Sequence, residues 1–520
     1  MSTLQLAMLA LLATTAATKV LAYCGVLTVG LWLWFQWTKW DLLQEARKLP
    51  CTVKTLPIVG HTHLLFRTWE DTTKLALERF SKAAVSTGVY NICAWCGPLP
   101  IVMIHKLEDI QKILVSCLPE KGNETEYLKY ATGNGLITAP YCIWKVTGRN
   151  IGPLFHPPNI QQLITIFNSN SRQFVTLLGK HERGHSVNVL EPCMGVALQS
   201  VYQLIFGTDE SMNESEVKEM LKAVQDVTEL FMKRIVRPWL RVDFIFKFLY
   251  RKELKKINHG MRAFVEIPLK RARFKSNQAS HNPTDLKEKD VSAFKGCLSL
   301  IDVYTELQKK YPQFTDEDLK YEMATFYGTG TDTVGVTIAT CLQLLGKYHE
   351  IQDRLYAEIT HTVGSSDDVT KEHLQSMTYL DQVFKETLRW ATVVPYILRK
   401  TTEAVKLSDC TIPAGNSVVI CLIGPLKDPN IYPDPEQFNP DRFSPNNSSS
   451  PNRDAFIPFG TGRRMCIGKT YSDHLVKIIL VHILRRFRVT TDMDIYNVKK
   501  SLAITLVNTE GYYVKLHDRS

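Results

Sequence analysis

One short segment near the end of the chain restricts its possible folds more than any other. Residues 456–469 read FIPFGTGRRMCIGK, so that glycines surround Cys466 just before a stretch with helical periodicity. The apolar stripe of that helix consists of Leu475, Ile478, Ile479, Ile483 and Leu484. A cysteine at a helix start meets the positive end of the helix dipole, and Arg463 and Arg464 add positive charge, which predicts a thiolate. A thiolate is the form of cysteine that binds metal ions.

The glycines in this segment predict a close approach of the backbone to a flat cofactor. Gly460, Gly462 and Gly468 permit a tight turn and leave room that side chains would fill. Phe459 is placed to pack beside the sulfur. A single cysteine in a helical chain is usually a small buried apolar residue, so the prediction depends on the combined pattern.

That pattern resembles the haem-binding loop of the cytochrome P-450 superfamily, F-x-x-G-x-R-x-C-x-G. Phe459, Gly462, Arg464, Cys466 and Gly468 fill every fixed position. The resemblance implies that Cys466 ligates the iron of haem b (iron protoporphyrin IX) and that Arg464 binds a haem propionate. In this family the axial thiolate favours cleavage of the O–O bond.

A second match lies in YLDQVFKETLRW, where Glu386 and Arg389 are three residues apart and share a helix face. Exposed ion pairs often have the same spacing. Arg442 follows in a proline-rich segment before residues 456–469. The superfamily pairs an E-x-x-R helix with such an arginine, which implies that these three residues form a structural ion-pair core that fixes the segment presenting Cys466.

Thr315 and Asp318 form a capping box that predicts the start of a long helix, extending to about Tyr348. This helix contains GTGTDTVG. Glycine is a poor helix former, so we expect the backbone to open most easily at Gly328 and Gly330, where a water or a hydroxyl group could enter. A crossing with another helix is the alternative explanation for the glycines.

The same stretch resembles the superfamily pattern [AG]-G-x-[DE]-T-[TS], with matches at Gly330, Asp332 and Thr333. The resemblance implies that Asp332 and Thr333 are catalytic and deliver protons during oxygen activation. Thr329 stands where a small residue is usual, and Val334 where a second hydroxyl is usual. In the fatty-acid ω-hydroxylase branch a glutamate at the position of Thr329 forms an ester to the haem, so threonine implies noncovalent haem apart from the Cys466 ligand.

Other haem contacts follow from the same resemblance. Trp144 matches the tryptophan of the motif W-x-x-x-R, but Gly148 occupies the arginine position and Arg149 follows it. A shift of one residue turns a helical side chain by about 100°. Trp144, Arg149 and Arg399 are therefore predicted to bind the cofactor, and a plain surface arginine is the alternative for Arg399.

The run 20–37, VLAYCGVLTVGLWLWFQW, carries no charge and is long enough to span a bilayer core. Tryptophans of an interfacial belt accompany it at positions 32, 34, 37 and 40. A cleaved signal peptide and a buried core helix are the alternatives. Lys19 precedes the run whereas Lys39, Arg47 and Lys48 follow it, and this balance favours a cytosolic body.

Periodicity along the rest of the chain predicts a mainly α protein with a smaller β-rich region. A hairpin is expected at 89–104, helices over 110–390 and further strands at 393–443. The predicted domains are a membrane anchor at 1–40, a proline-containing linker at 41–61 and a haem-thiolate monooxygenase domain at 62–520. With the resemblance, this is the cytochrome P-450 fold with an N-terminal membrane-anchor helix.

Charge and cysteine content exclude several classes of protein. The formal net charge is +10, but no block of basic residues occurs, so nucleic acid is not an expected partner. The 12 cysteines lack the regular spacing of a secreted disulfide framework. Cys93 and Cys96 form a CxxC without a second half, so no zinc site is predicted there.

The chain is most similar to the microsomal enzymes of animals, insects included. The resemblance implies a monooxygenase that inserts one oxygen atom from O2 into a lipophilic substrate and reduces the other to water. Its implied partners are an NADPH-dependent flavoprotein reductase, cytochrome b5 and the endoplasmic reticulum membrane, with the catalytic domain facing the cytosol. Hormone, fatty acid, pheromone and xenobiotic substrates all remain open. A haem-thiolate isomerase or dehydratase would not need Asp332 and Thr333, and a non-enzymatic haem carrier is the other alternative.

Overall fold

The computed structural model describes residues 18–519 except 21, 24, 28, 31, 58, 67, 118, 208–210, 271, 272, 274–298 and 446–452. Its longer helices after residue 39 are Trp40–Lys48, Tyr141–Ile151, Pro157–Leu178, Leu190–Phe206, Glu214–Val236, Asp243–Leu249, Arg251–Met261, Leu300–Lys310, Asp316–Lys347, His349–Val363, Thr378–Ala391 and Lys469–Arg486. The strands are Asn91–Cys96, Leu99–Ile104, Glu120–Lys121, Ser186–Asn188, Tyr396–Lys400, Val405–Lys406, Thr411–Ile412, Ser417–Cys421, Phe487–Thr490, Lys500–Leu502, Leu506–Asn508 and Tyr513–Asp518. Helix predominates over strand, which confirms the predicted fold class.

The largest sheet has five strands and contains the predicted hairpin. Asn91–Cys96 and Leu99–Ile104 pair antiparallel around Gly97, with Asn91 opposite Ile104. Leu99–Ile104 also pairs with Ser417–Cys421, in parallel. The sheet thus joins an early segment of the chain to the stretch that precedes Cys466. Its strands contribute to a hydrophobic cluster that is separate from the larger helical core.

Helix Asp316–Lys347, called the central helix below, begins as the capping box predicts. The Thr315 N–H donates to the Asp318 carboxylate at 2.8 Å, and the Asp318 N–H donates to the Thr315 hydroxyl at 3.4 Å. Most of its residues are buried, and they lie on every face of the helix, as expected for a helix that passes through the middle of a domain.

Two glycines of the central helix, Gly330 and Gly335, lie at a helix crossing. The helix is continuous through Gly328 and Gly330, so the expected opening of the backbone is not found. A Cβ atom on Gly330 would lie 2.6 Å from Val201 Cγ2, and one on Gly335 would lie 2.6 Å from Met194 Cγ. Both neighbours belong to helix Leu190–Phe206, which approaches too closely for side chains at these positions.

At the start of the described chain, helix Thr18–Thr38 is long and apolar enough to cross a membrane, judged by length and composition. Its most apolar window has a mean hydropathy of 1.4, and none of that window is buried. Residues 1–17 of the predicted anchor lie outside the described residues.

The segment predicted as a linker, 41–61, is folded against the body over much of its length. Helix Trp40–Lys48 buries Leu42, Leu43 and Ala46, and the Glu45 carboxylate accepts a hydrogen bond from the Thr411 N–H at 2.7 Å. The many polar residues of this short helix indicate a linker in the sequence, whereas its three buried residues pack it against the body.

Candidate active site

Cys466 lies in a tight turn immediately before helix Lys469–Arg486. This turn, residues 459–468, is called the thiolate turn below. Its N–H donates to the Phe459 carbonyl at 3.0 Å, and the Met465 N–H donates to the Gly462 carbonyl at 3.1 Å. Gly462 has a φ of +75°, and a Cβ atom there would collide with the Leu114 carbonyl oxygen. This position therefore requires glycine both for its conformation and for its contact with a neighbouring segment.

The turn is held at the junction of two hydrophobic clusters. Ile457 is buried in the cluster that includes the largest sheet. Phe459 and Ile467 are half-buried against the larger helical cluster, and Gly468 caps the following helix. Packing on both sides fixes where the turn presents the sulfur.

The Cys466 side chain is deep in the protein, yet other side chains leave it uncovered. Burial raises the pKa of its thiol, which the Gly468 N–H and the charges of Lys121 and Lys469 only partly oppose. The side chain is nevertheless exposed, which is consistent with a sulfur that faces an internal space. The sulfur is thus accessible to a group bound inside the protein.

The prediction that Arg463 and Arg464 lower the pKa of the Cys466 thiol is wrong. Arg464 turns away to donate to the Ala139 carbonyl at 2.6 Å and the Leu136 carbonyl at 3.4 Å, while Arg463 is exposed beside the Tyr141 hydroxyl. A metal cation deprotonates a thiol that coordinates it, so a bound metal can supply what the arginines do not.

Three cations cluster near Cys466. Arg399 and Arg464 are buried, and burial lowers the pKa of each to about 10. Burial lowers the pKa of Lys121 still further, an effect that both arginines strengthen. The Glu120 carboxylate raises the pKa of Arg464, but Lys121 has no ion pair with a described residue. The cluster therefore places three basic groups in a poorly solvated region.

Such a cluster fits a ligand that brings carboxylates. Nε of Arg464 is buried with no hydrogen-bond partner among the described residues, so one strong donor is still available. The Arg464 guanidinium lies over the Trp144 ring, 4.7 Å from its centroid. The structure thus brings Trp144, Arg399 and Arg464 together, and the charges and donors present match the two propionates of a haem.

Lys121 is a member of this cluster that sequence reasoning missed. It belongs to no short motif, and only the pairing of strand Glu120–Lys121 with Tyr396–Lys400 places it opposite Arg399. Arg149 is exposed near the end of helix Tyr141–Ile151, and no contact with the cluster is found for it within the described chain. A Cβ atom on Gly148 would lie 3.3 Å from the Trp144 ring, which covers the usual arginine position.

Glu386, Arg389 and Arg442 meet in the interior. Arg389 donates from Nε to Glu386 Oε2 at 2.7 Å and from Nη2 to Glu386 Oε1 at 2.8 Å. Nε of Arg442 lies 3.4 Å from Glu386 Oε1. Glu386 and Arg389 are both fully buried, so their charges must be satisfied within the protein.

The remaining bonds of this core extend to the segment before the thiolate turn. Arg389 donates to the carbonyl oxygens of Leu426, Pro435 and Gln437, at 3.0, 2.8 and 3.2 Å. Glu386 accepts from the Asn439 N–H at 2.9 Å. Arg389 thus holds three carbonyls between Leu426 and Gln437, because a guanidinium presents its donors in a rigid plane, and Glu386 holds a fourth backbone position at Asn439.

Asp332 and Thr333 lie on the central helix in different environments. Asp332 is buried, and this burial raises its pKa to about 7. Thr333 is only half-buried, and its hydroxyl donates to the Thr329 carbonyl at 2.7 Å. The carboxyl can hold and release a proton near neutral pH, and the hydroxyl keeps its oxygen free to accept one hydrogen bond.

The threonine hydroxyl belongs to a series along one face of the helix. Thr325, Thr329, Thr333 and Thr337 each donate to the carbonyl four residues earlier, at distances of 2.7 to 2.9 Å. These bonds share the backbone carbonyls, an arrangement that bends helices slightly. At Gly328 nothing lies within 4 Å of a Cβ position, so no described residue packs closely against the helix there.

Replacing Arg389 by lysine should lower the free energy of unfolding by about 3 kcal/mol, because lysine cannot keep both bonds to Glu386 and the bonds to the loop carbonyls. Urea denaturation at neutral pH measures the change. Arg354→Lys is the matched control: Arg354 pairs with Asp441 on the surface, and both side chains are more than half exposed. The control should change stability by less than about 1 kcal/mol, and equal losses in the two variants would contradict a special role for the buried core.

Asp332→Asn should raise the melting temperature more at pH 8 than at pH 5. The unfolded chain releases this proton near pH 4, whereas the folded chain retains it to about pH 7. The carboxyl therefore costs no stability below its unfolded pKa and its full cost above its folded pKa. Thermal unfolding of both proteins at the two pH values tests this, with the half-exposed Asp353 replaced by Asn as a control. Equal gains at pH 5 and pH 8 would show that Asp332 titrates normally.

Comparison with known sequences agrees with this geometry. A sequence profile of the family described as Cytochrome P450 matches residues 50–516. Cytochrome P450 4V2 of Rattus norvegicus is 27% identical over 494 residues, which cover 92% of this chain and 91% of the relative. Cytochrome P450 4c21 of Blattella germanica is 29% identical over 446 residues, covering 84% and 87%, and Probable cytochrome P450 4aa1 of Drosophila melanogaster is 28% identical over 475 residues, covering 89% and 88%.

Members of this family hold haem through a cysteine thiolate and receive NADPH-derived electrons from a partner reductase. They are monooxygenases that insert one atom of O2 into lipophilic substrates. The matched region contains the thiolate turn, the cation cluster and the ion-pair core. The chain therefore belongs to the cytochrome P450 family.

Proposed function

We propose that Cys466 is the axial ligand of the haem iron and that Lys121, Arg399, Arg464 and Trp144 hold the haem propionates. The observation that carries this proposal is the pair of buried arginines, with the half-buried Lys121, beside an uncovered interior thiol. Buried charges are costly unless they are paired, and two propionates would neutralise them. Phe459, Gly462 and Gly468 shape the turn that presents the sulfur.

Bound haem supplies an iron centre that activates oxygen, while the protein supplies the ligand, the protons and a dry environment. Asp332, with a pKa near 7, is suited to take up a proton from solvent and pass it on at neutral pH. The Thr333 hydroxyl donates to its own helix, which leaves its oxygen oriented to accept from a water molecule. Val334 is buried and apolar, so Thr333 acts here without the second hydroxyl usual in the family.

The haem is held without a second covalent bond. The position that forms an ester in one branch of the family is Thr329, whose hydroxyl donates to the Thr325 carbonyl at 2.8 Å. No carboxyl is present at this position to form an ester.

The ferrous carbonyl form of the purified protein should show the long-wavelength Soret band of a sulfur-ligated haem. Cys466→Ser should abolish that band, because an alcohol oxygen is a poor substitute for a thiolate. Cys142→Ser replaces another exposed free cysteine and should leave the band unchanged. A wild-type protein without the band, or a Cys466 variant that keeps it, would refute the assignment of the ligand.

The membrane is the proposed location, and the helix Thr18–Thr38 is the proposed anchor of a body that begins near Trp40. A second surface supports membrane contact. Helix Asp243–Leu249 exposes 78% of Phe244 and 71% of Phe248, whose rings stack at 6.3 Å. The adjoining helix Arg251–Met261 is rich in lysine and arginine, a combination typical of elements that lie on anionic lipid surfaces.

The body is proposed to face the cytosol from the endoplasmic reticulum, where the reductase and cytochrome b5 would reach it. All ten cysteines that the structure describes are free, as expected in a reducing compartment. Trypsin added to intact microsomes should therefore digest the body without detergent, whereas a lumenal marker protein remains protected. Protection of the body until detergent is added would place it in the lumen instead.

A further inference from the structure

Residues 133–139 form a bridge between the central helix and Arg464. On one side, the Leu136 N–H donates to Oε2 of Glu322 at 2.8 Å. On the other, Arg464 donates to the Leu136 carbonyl at 3.4 Å and to the Ala139 carbonyl at 2.6 Å. One short loop is thus bound by a carboxyl group of the central helix and by an arginine from the thiolate turn.

Hydrogen bonds within the bridge fix the carbonyls that Arg464 contacts relative to the N–H that Glu322 contacts. The Thr138 and Ala139 N–H groups both donate to the Gly135 carbonyl, at 2.9 and 2.8 Å. The Thr138 hydroxyl also donates to the Gly133 carbonyl at 2.8 Å. A Cβ atom on Gly135 would lie 2.6 Å from the Tyr321 carbonyl, so the loop backbone rests directly on the central helix. Its carbonyls are therefore fixed relative to the point where Glu322 holds it.

Glu322 is a buried acid on the central helix that bonds to the bridge. It is 1% exposed, and its hydrogen bond to the Leu136 N–H is the contact found for it within the described chain. Burial raises the pKa of Glu322 to about 8, and Asp318 one turn earlier adds to this effect. The Tyr304 hydroxyl, on helix Leu300–Lys310, is a second buried polar group close enough for its pKa to be raised by Glu322. An apolar residue would avoid the cost of burying an acid.

We propose that Glu322 is a positioning residue of the haem site, which holds the bridge so that its carbonyls direct the Arg464 guanidinium towards a haem propionate. This inference depends on the propionate role proposed above for Arg464. Glu322 acts through its hydrogen bond with the Leu136 N–H. A carbonyl oxygen at this place is sufficient, so glutamine can replace the neutral acid whereas leucine cannot.

The test is the rate at which the purified holoprotein loses haem to excess apomyoglobin, followed by the absorbance of the acceptor. Glu322→Leu should lose haem about tenfold faster than the wild type, a typical effect of removing the group that orients a cofactor-binding residue. Glu322→Gln should remain within about twofold of wild type, because its amide oxygen still accepts from Leu136. Glu322→Asp keeps the carboxyl but is shorter by one methylene. If the leucine variant does not accumulate, the aspartate variant takes its place and should also lose haem about tenfold faster than the wild type.

Gln343→Leu is the matched control, since Gln343 is buried on the same helix and bonds to Met493 and Gly511, away from the bridge. It should lower the melting temperature without accelerating haem loss. Equal haem-loss rates in the Glu322→Leu and Gln343→Leu proteins, or a glutamine variant as defective as the leucine variant, would overturn the role of Glu322. A wild-type protein that binds no haem would refute the proposed function instead, so the two failures are distinguishable.

Discussion

The buried pair between Glu386 and Arg389 is the interaction on which the rest of the site depends. Its geometry is bidentate, and both residues are inaccessible to solvent. The pair alone would contribute little, because desolvation of the two charges offsets much of their attraction. Its value lies in the further donors of Arg389, which hold loop carbonyls that regular secondary structure leaves without partners. An irregular segment thereby acquires one defined course towards Cys466.

The environment around Cys466 combines groups that an anionic cofactor with a metal cation would stabilise. Three basic side chains share one poorly solvated region with a single nearby carboxylate, and the thiol beside them has a raised rather than a lowered pKa. The propionates of a haem would pair with the basic side chains, and its iron would favour the thiolate. The free energy of haem binding is thus linked to folding of this region.

Much of the site could be predicted because its motifs are local. The thiolate turn, the E-x-x-R spacing and the capping box of the central helix are each contained within a few residues, and the structure has the corresponding elements at these positions. Lys121 could not be predicted, since only the register between two distant strands brings it to Arg399. The thiol pKa was mispredicted for a related reason: sequence proximity of Arg463 and Arg464 says nothing about where their side chains point. Gly330 and Gly335 of the central helix similarly reflect a partner helix, not a weak backbone.

The position of the thiolate turn between two hydrophobic clusters has a consequence for biosynthesis. Ile457 packs in a cluster formed by early strands at 91–104 and late strands at 405–421, while Phe459 packs against helices from throughout the domain, and Gly462 abuts the Leu114 backbone. The turn therefore lacks its packing partners until both clusters have formed. Residues 459–468 are synthesised long after strands Asn91–Cys96 and Leu99–Ile104, so the site for the prosthetic group can be completed only after most of the described chain has been made.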